Sequence, residues 1–192
     1  SYLIKSLNLA HDLGHKKIIK GFINCPVDKS LIRNSKKVGL TEYFAMKSKV
    51  PLNTEVMMIH NKNLSVVPIT THINIKKVSS KINANLIIKK IKTLNICYKK
   101  IFKLKPKIGV LGLNPHNGEL IKGSEEKKFI IPAIKKLKKQ KIKVEGPFVS
   151  DTIFINNSHH FNVIVGMYHD QVLGPFKTLF KFDAINITLG LK

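Results

Sequence analysis

Apolar residues in this chain come in two kinds of block. Some recur every three or four residues, and others form runs of four to six with few interruptions. Leu3, Leu7, Ala10 and Leu13 follow the first pattern and predict a helix over 1–17. Residues 18–24 follow the second and end at Cys25-Pro26, the signature of a strand feeding a turn. A short helix is predicted over 41–46. Runs at 56–59 and 64–69 flank Asn61-Lys62-Asn63 and predict a hairpin or two adjacent strands. The clearest helix is 79–104, with Ile82, Leu86, Ile91, Leu94, Tyr98 and Ile101 on one face and lysines on the other. A buried strand at 108–113 leads into the loop Asn114-Pro115-His116-Asn117-Gly118. Residues 125–139 predict a second amphipathic helix, kinked by Pro132 or starting near it. Runs at 163–167 and 184–189 predict two more buried strands.

Strands alternating with helices imply an α/β fold, a largely parallel sheet flanked by helices. Internal repeats, low-complexity linkers and domain boundaries are not evident. Residues 1–192 therefore read as one partial α/β chain, incomplete at both ends. It opens inside a helical pattern and stops at Gly190-Leu191-Lys192, directly after a strand.

Composition narrows the class. Hydrophobic residues make up 43% of the chain, which supports a packed core and argues against general disorder. No apolar run approaches the ~20 residues of a membrane span. No secretory signal pattern opens the chain. Cys25 and Cys97 stand in no metal or redox spacing, so a disulfide scaffold is excluded and a cytoplasmic, reducing location is expected. Lys and Arg total 34 against 11 Asp and Glu, a net charge of +23. That balance raises a basic nucleic-acid-binding module as a rival reading. Arg33 is the single arginine, however, and the lysines spread over every predicted helix instead of one face. Lys, Ile and Asn share AT-rich codons, so the charge reads as a solvated surface and neither nucleic acid nor membrane is an expected partner.

Ligands in open α/β sheets bind beyond the carboxyl ends of strands. Three of four predicted strand ends deliver a histidine: Thr70-Thr71-His72, Asn114-Pro115-His116 and Tyr168-His169-Asp170. Three imidazoles from three loops suit a divalent metal and leave a coordination position open. Such an ion polarises a hydroxyl or carbonyl. Any one of these histidines alone is more often a hydrogen-bonded loop residue. Lys29 and Lys177 are the lysines nearest these loops, suited to an anion. Asp170 is a candidate metal ligand, general base or orienter of His169. Neither GxGxxG nor GxxxxGK[ST] occurs, nor a GxSxG elbow.

Several stretches resemble one family. Gly112-Leu113-Asn114-Pro115-His116-Asn117-Gly118-Glu119 is similar to the GLNPHxGE signature of 4-hydroxythreonine-4-phosphate dehydrogenases. Met167-Tyr168-His169-Asp170-Gln171 with Pro175-Phe176-Lys177, and Asn186-Ile187-Thr188-Leu189-Gly190-Leu191, also resemble it. Upstream, Cys25-Pro26-Val27-Asp28-Lys29, Gly39-Leu40-Thr41-Glu42 and Thr70-Thr71-His72 follow in the family's order. The resemblance implies a fold like isocitrate and isopropylmalate dehydrogenases. It also implies oxidation of a small phosphorylated amino acid, 4-phosphooxy-threonine, by NAD or NADP in vitamin B6 biosynthesis, the β-keto acid product losing carbon dioxide. On the same ground His72, His116 and His169 bind a divalent metal (Zn, Mg or Co). Thr41, Lys177 and Asn186 contact substrate; from their positions after the strand, Asp170 and Lys177 are the candidate catalytic residues. A homodimer is implied, each metal site being completed by the partner chain.

Four departures stand out. Leu40 replaces a family histidine, and losing a charge-assisted hydrogen bond costs ~1.5–3 kcal/mol. Asp28 stands where Asn or His is usual, and Val172 and Gly174 alter the stretch after His169. The family's N-terminal third and its later Arg and Asp-His-Gly-Thr segment have no counterpart in these residues. Little or no turnover is therefore expected of this chain alone, and an inactive remnant of the enzyme is the alternative.

Overall fold

The computed structural model describes residues 2–25, 40–48, 54–156 and 158–191. The chain divides into two compact units, Ser1–Val50 with Leu191–Lys192, and Pro51–Gly190. In the first, helices α1 (Tyr2–His15) and α2 (Leu40–Lys47) bury Leu7, Tyr43 and Phe44, with Leu40 packed against them. Helix α1 closes when Lys17 turns left-handed (φ 58°) and the Ile18 N–H reaches back to the Leu13 carbonyl.

The strand expected at 18–24 does not form. Residues 21–25 have no regular structure, and Ile18 and Ile23 are 66% and 103% exposed. An apolar run specifies a strand only where another strand offers backbone partners.

The second unit is built on a six-stranded sheet: β1 (Val56–His60), β2 (Ser65–Pro68), β3 (Ile108–Leu111), β4 (Val144–Phe148), β5 (Val163–Gly166) and β6 (Ile185–Leu189). Its order is β4-β3-β5-β2-β1-β6. The β3–β4, β3–β5 and β2–β5 pairs are parallel, and β1 is antiparallel to both neighbours. This is the α/β fold with a mostly parallel sheet that the alternation of elements predicts. The expected hairpin is β1–β2, with His60 opposite Ser65.

Alternating residues divide the core. Val56, Met58, Val67, Val163 and Val165 face helices α3 (Ala84–Phe102) and α4 (Ile131–Lys139). Met57, Val66 and Ile164 face helix α5 (His169–Phe180) through Leu173 and Phe176. Each fully buried side chain such as Phe176 or Ile91 contributes roughly 1.5–3 kcal/mol. Helix α3 starts where Asn83 caps the Leu86 N–H at 2.9 Å. Its lysine face is not uniformly solvated. Lys90 is 6% exposed and donates to the Glu55 carbonyl at 2.7 Å. The element expected over 125–139 begins with a π turn, Glu126–Ile130, and Pro132 falls where that turn passes into α4. Strand β4 and helix α5 lack a clear periodic signal and are supplied by the structure. No described helix is long and apolar enough to cross a membrane.

Candidate functional site

Strands β3, β5 and β2 are neighbours and run parallel, so their carboxyl ends share one edge of the sheet. Chain connections diverge between β3 and β5: β3 leads outward to β4, and β5 leads across to β6. That divergence leaves a crevice in open α/β sheets. The loops carrying His72, His116 and His169 follow β2, β3 and β5.

The His72 and His169 rings lie 5.8 Å apart, centre to centre, tilted by 43°. Two imidazoles on one tetrahedral zinc place their centres roughly 5–6 Å apart. His169 opens α5, and its Nδ1–H donates to Asp170 Oδ1 at 2.6 Å. That bond leaves Nε2 as the nitrogen free to take a metal. The Asp170 side chain is 88% exposed and its partner is the imidazole, which is the orienter's role.

His116 is exposed and is not brought to this pair. Among the described residues, no three His, Cys, Asp or Glu side chains of one chain can share an ion. His116 opens a left-handed turn with φ of 50° at His116, 57° at Asn117, 58° at Gly118 and 50° at Glu119. Left-handed backbone costs ~1–2 kcal/mol per non-glycine residue, so the turn persists only because its surroundings hold it. Gly112 makes room for it: a Cβ there would meet Asn117 Oδ1 at 2.2 Å. Asn117 Nδ2 donates to the Pro147 carbonyl at 3.2 Å, while its Oδ1 is buried and has no partner.

Glu126 holds the entry to this turn. It is fully buried, and Oε1 accepts the Leu113 and Asn114 N–H groups at 2.8 Å each. Its Oε2 accepts Asn114 Nδ2 at 3.0 Å. Burial, the largest single influence, works to raise the Glu126 pKa. The hydrogen bonds from Asn114 and Leu113 outweigh it and hold the carboxyl below its ordinary value. Glu125 is lowered as well, first by the Ser79 hydroxyl and then by the Asn114 amide. The sequence shows two adjacent acids in a lysine-rich stretch and no sign that one is buried. Glu126 is the site residue that sequence reasoning missed, while Thr70 and Gln171 were read only as parts of the histidine motifs. Only the NPH context of Asn114 could have pointed toward Glu126.

Two further candidates lie on α5 and β6. Lys177 is exposed on α5, eight residues after His169, ~12 Å by helical rise. Asn186 is exposed in β6 opposite Ile59, one residue from the strand's amino end. Thr41 lies in the first turn of α2, and its side chain is outside the described set. Asp28 and Lys29 lie outside the described residues.

The family model described as "Pyridoxal phosphate biosynthetic protein PdxA" matches residues 1–192. The chain belongs to this family. This PdxA-family chain is 41% identical over 176 residues to a 4-hydroxythreonine-4-phosphate dehydrogenase of Aquifex aeolicus, covering 90% of this chain and 54% of that protein. Its fold is similar to the crystal structure of the enzyme of that name from Klebsiella pneumoniae, with a TM-score of 0.86 at 28% identity. The match covers 97% of this chain and 58% of that one. A Burkholderia phymatum structure of the same title gives a TM-score of 0.80 at 34% identity, with the same coverage. The PdxA-family chain therefore spans little more than half the length of the relatives it matches.

The donor set fits a divalent ion in part: two imidazoles converge, one with its tautomer fixed, and a third histidine leaves the adjacent strand. The turn from β5 into α5 is not a glycine-rich phosphate loop. Gly166, the glycine before α5, is covered by Val172 and Gln171, whose atoms would lie 2.5 and 2.9 Å from a Cβ there. A pyrophosphate cannot approach that backbone as it does in a glycine-rich loop.

Proposed function

We propose that this chain supplies the metal-binding part of a 4-hydroxythreonine-4-phosphate dehydrogenase, acting in the cytoplasm on vitamin B6 biosynthesis. The reaction is oxidation of 4-phosphooxy-L-threonine by NAD or NADP to a β-keto acid that decarboxylates. The carrying observation is the His72–His169 pair on the edge where His116 also emerges, in a chain of this family. A bound divalent ion (Zn, Mg or Co) would lower the pKa of the substrate hydroxyl and hold developing oxyanion charge.

The chain's own residues do the rest. His72 and His169 hold the ion, and Asp170 fixes the His169 ring by taking its Nδ1 proton in a hydrogen bond. Lys177 offers a point charge to the phosphate or carboxylate, and Asn186 a neutral amide. A homodimer would bring His116 of a second copy to the pair, which among the described residues of one chain has no third ligand. Cys25 and Cys97 stand free, as a reducing compartment requires. Leu40 packs against the core of the first unit and gives no donor to substrate.

Calorimetry with zinc or cobalt tests the reading. The parent chain is expected to bind one ion per completed site. His72→Ala, His116→Ala and His169→Ala should each weaken binding at least tenfold. A parent that binds nothing, or variants that bind as tightly, would overturn it.

A further inference from the structure

The three histidine loops are tied to one another by buried side chains. Thr70, two residues before His72, donates through Oγ1 to the Met167 carbonyl at 2.8 Å. Its N–H reaches the same oxygen at 3.1 Å. The Met167 N–H, two residues before His169, donates to Gln171 Oε1 at 2.6 Å. Gln171 Nε2 then donates to the Gly112 carbonyl at 2.7 Å, at the head of the His116 loop. Thr70 and Gln171 are 7% and 8% exposed.

Gln171 is the piece that no local need explains in full. Its acceptor bond to Met167 resembles the reach-back of a glutamine in the first turn of a helix, which satisfies a free N–H. A cap would stop there. The donor bond to Gly112 leaves its own element and crosses to β3. The β3–β5 register runs to Val110 opposite Val165. Just beyond it, the side-chain amide of Gln171 stands between the Gly112 carbonyl and the Met167 N–H and bridges them. The two strands are thereby held apart by about one amide group and still tied. This happens at the gap where chain connections diverge, and the loops of His116 and His169 leave from its two sides.

We propose that Gln171 is a positioning residue that sets the spacing between the His116 and His169 loops. This rests on the metal-site reading above. The amide does what a direct backbone bond cannot, which is to keep the crevice open at a fixed width. Thr70 extends the same tie to the His72 loop, and Glu126 stiffens the His116 loop beyond Gly112.

The test uses Gln171→Met, equal in length but without the amide, beside Asn61→Ala, a buried hydrogen-bonding site at the other edge of the sheet. Cobalt affinity and thermal midpoint are measured for both. Tenfold or greater loss of cobalt affinity in Gln171→Met is expected, with affinity kept in Asn61→Ala at a similar fall in midpoint. Affinity equal to the parent's in Gln171→Met, or lost equally in both variants, overturns the proposal. If the parent itself binds no cobalt, the functional reading fails and amide exchange decides the inference. Faster exchange in Gln171→Met confined to residues 112–120 and 167–169 upholds it, and unchanged or uniformly raised exchange overturns it. Should Gln171→Met fail to fold, Gln171→Asn is judged by the same criteria, since its amide is one methylene too short to reach both strands.

Discussion

The two edges of the sheet spend their polar groups differently. At the amino edge, side chains close ordinary gaps. Asn162 Oδ1 accepts the Lys107 N–H at 2.8 Å, and Asn61 bonds to the Asp183 carbonyl and the Asn63 N–H. His60 Nδ1 meets the Ser65 hydroxyl at 2.8 Å. At the carboxyl edge, Gln171 and Thr70 join different loops, and Glu126 is a carboxylate with no exposed surface. Residues of positive φ come singly at Lys103, Lys141 and Lys181, but as an unbroken run at 116–120. One edge is built to end strands. The other holds loops in conformations they would not adopt by themselves, which is how strain gathers at functional sites.

Substitutions matched across the two edges should expose this difference. Glu126→Ala leaves the Leu113 and Asn114 N–H groups buried without acceptors and is expected to cost about 2–4 kcal/mol in urea unfolding. The amino-edge match, Asn162→Ala, exposes one N–H near the surface and should cost about 1 kcal/mol. Equal losses would remove the contrast. Gly112→Ala drives a methyl into Asn117 Oδ1 and should cost about 1–3 kcal/mol, most of it recovered in the double variant Gly112→Ala, Asn117→Gly.

Acid should separate the edges next. The lowered pKa values of Glu125 and Glu126 mean that the unfolded chain takes up their protons first. Their stabilisation is full above the ordinary carboxylate range, ~4.3, and is lost as pH falls through the lowered folded values. Glu126→Gln should flatten that acid limb. The smallest effect belongs to His60. Burial lowers its pKa, so stability drops as pH falls from ~6.5 toward the folded value. His60→Phe should abolish that slope and leave the acid limb of the carboxyl edge untouched.

Much of this was legible from residue patterns. The helix at 84–102 and the strands at 56–60, 65–68, 108–111, 163–166 and 185–189 follow from spacing, because one buried face per element imposes its own period. The run at 18–24 failed because apolar character is necessary for a strand but pairing decides it. Strand β4 was missed because Glu145, Gly146 and Pro147 break its apolar pattern, while the parallel bonds to β3 hold it. The histidine loops were legible one at a time. Their neighbourhood was not, because strand order is a property of the whole sheet.

Sequence alone determined the α/β class, the family and which three histidines leave strand ends, since each is carried by local residue types and their order. Tertiary structure alone decided that two of those rings meet within one chain, that Glu126 is buried, and that Gln171 bridges β3 to β5. These depend on which distant segments become neighbours, and that is settled by packing the whole sheet and its helices at once.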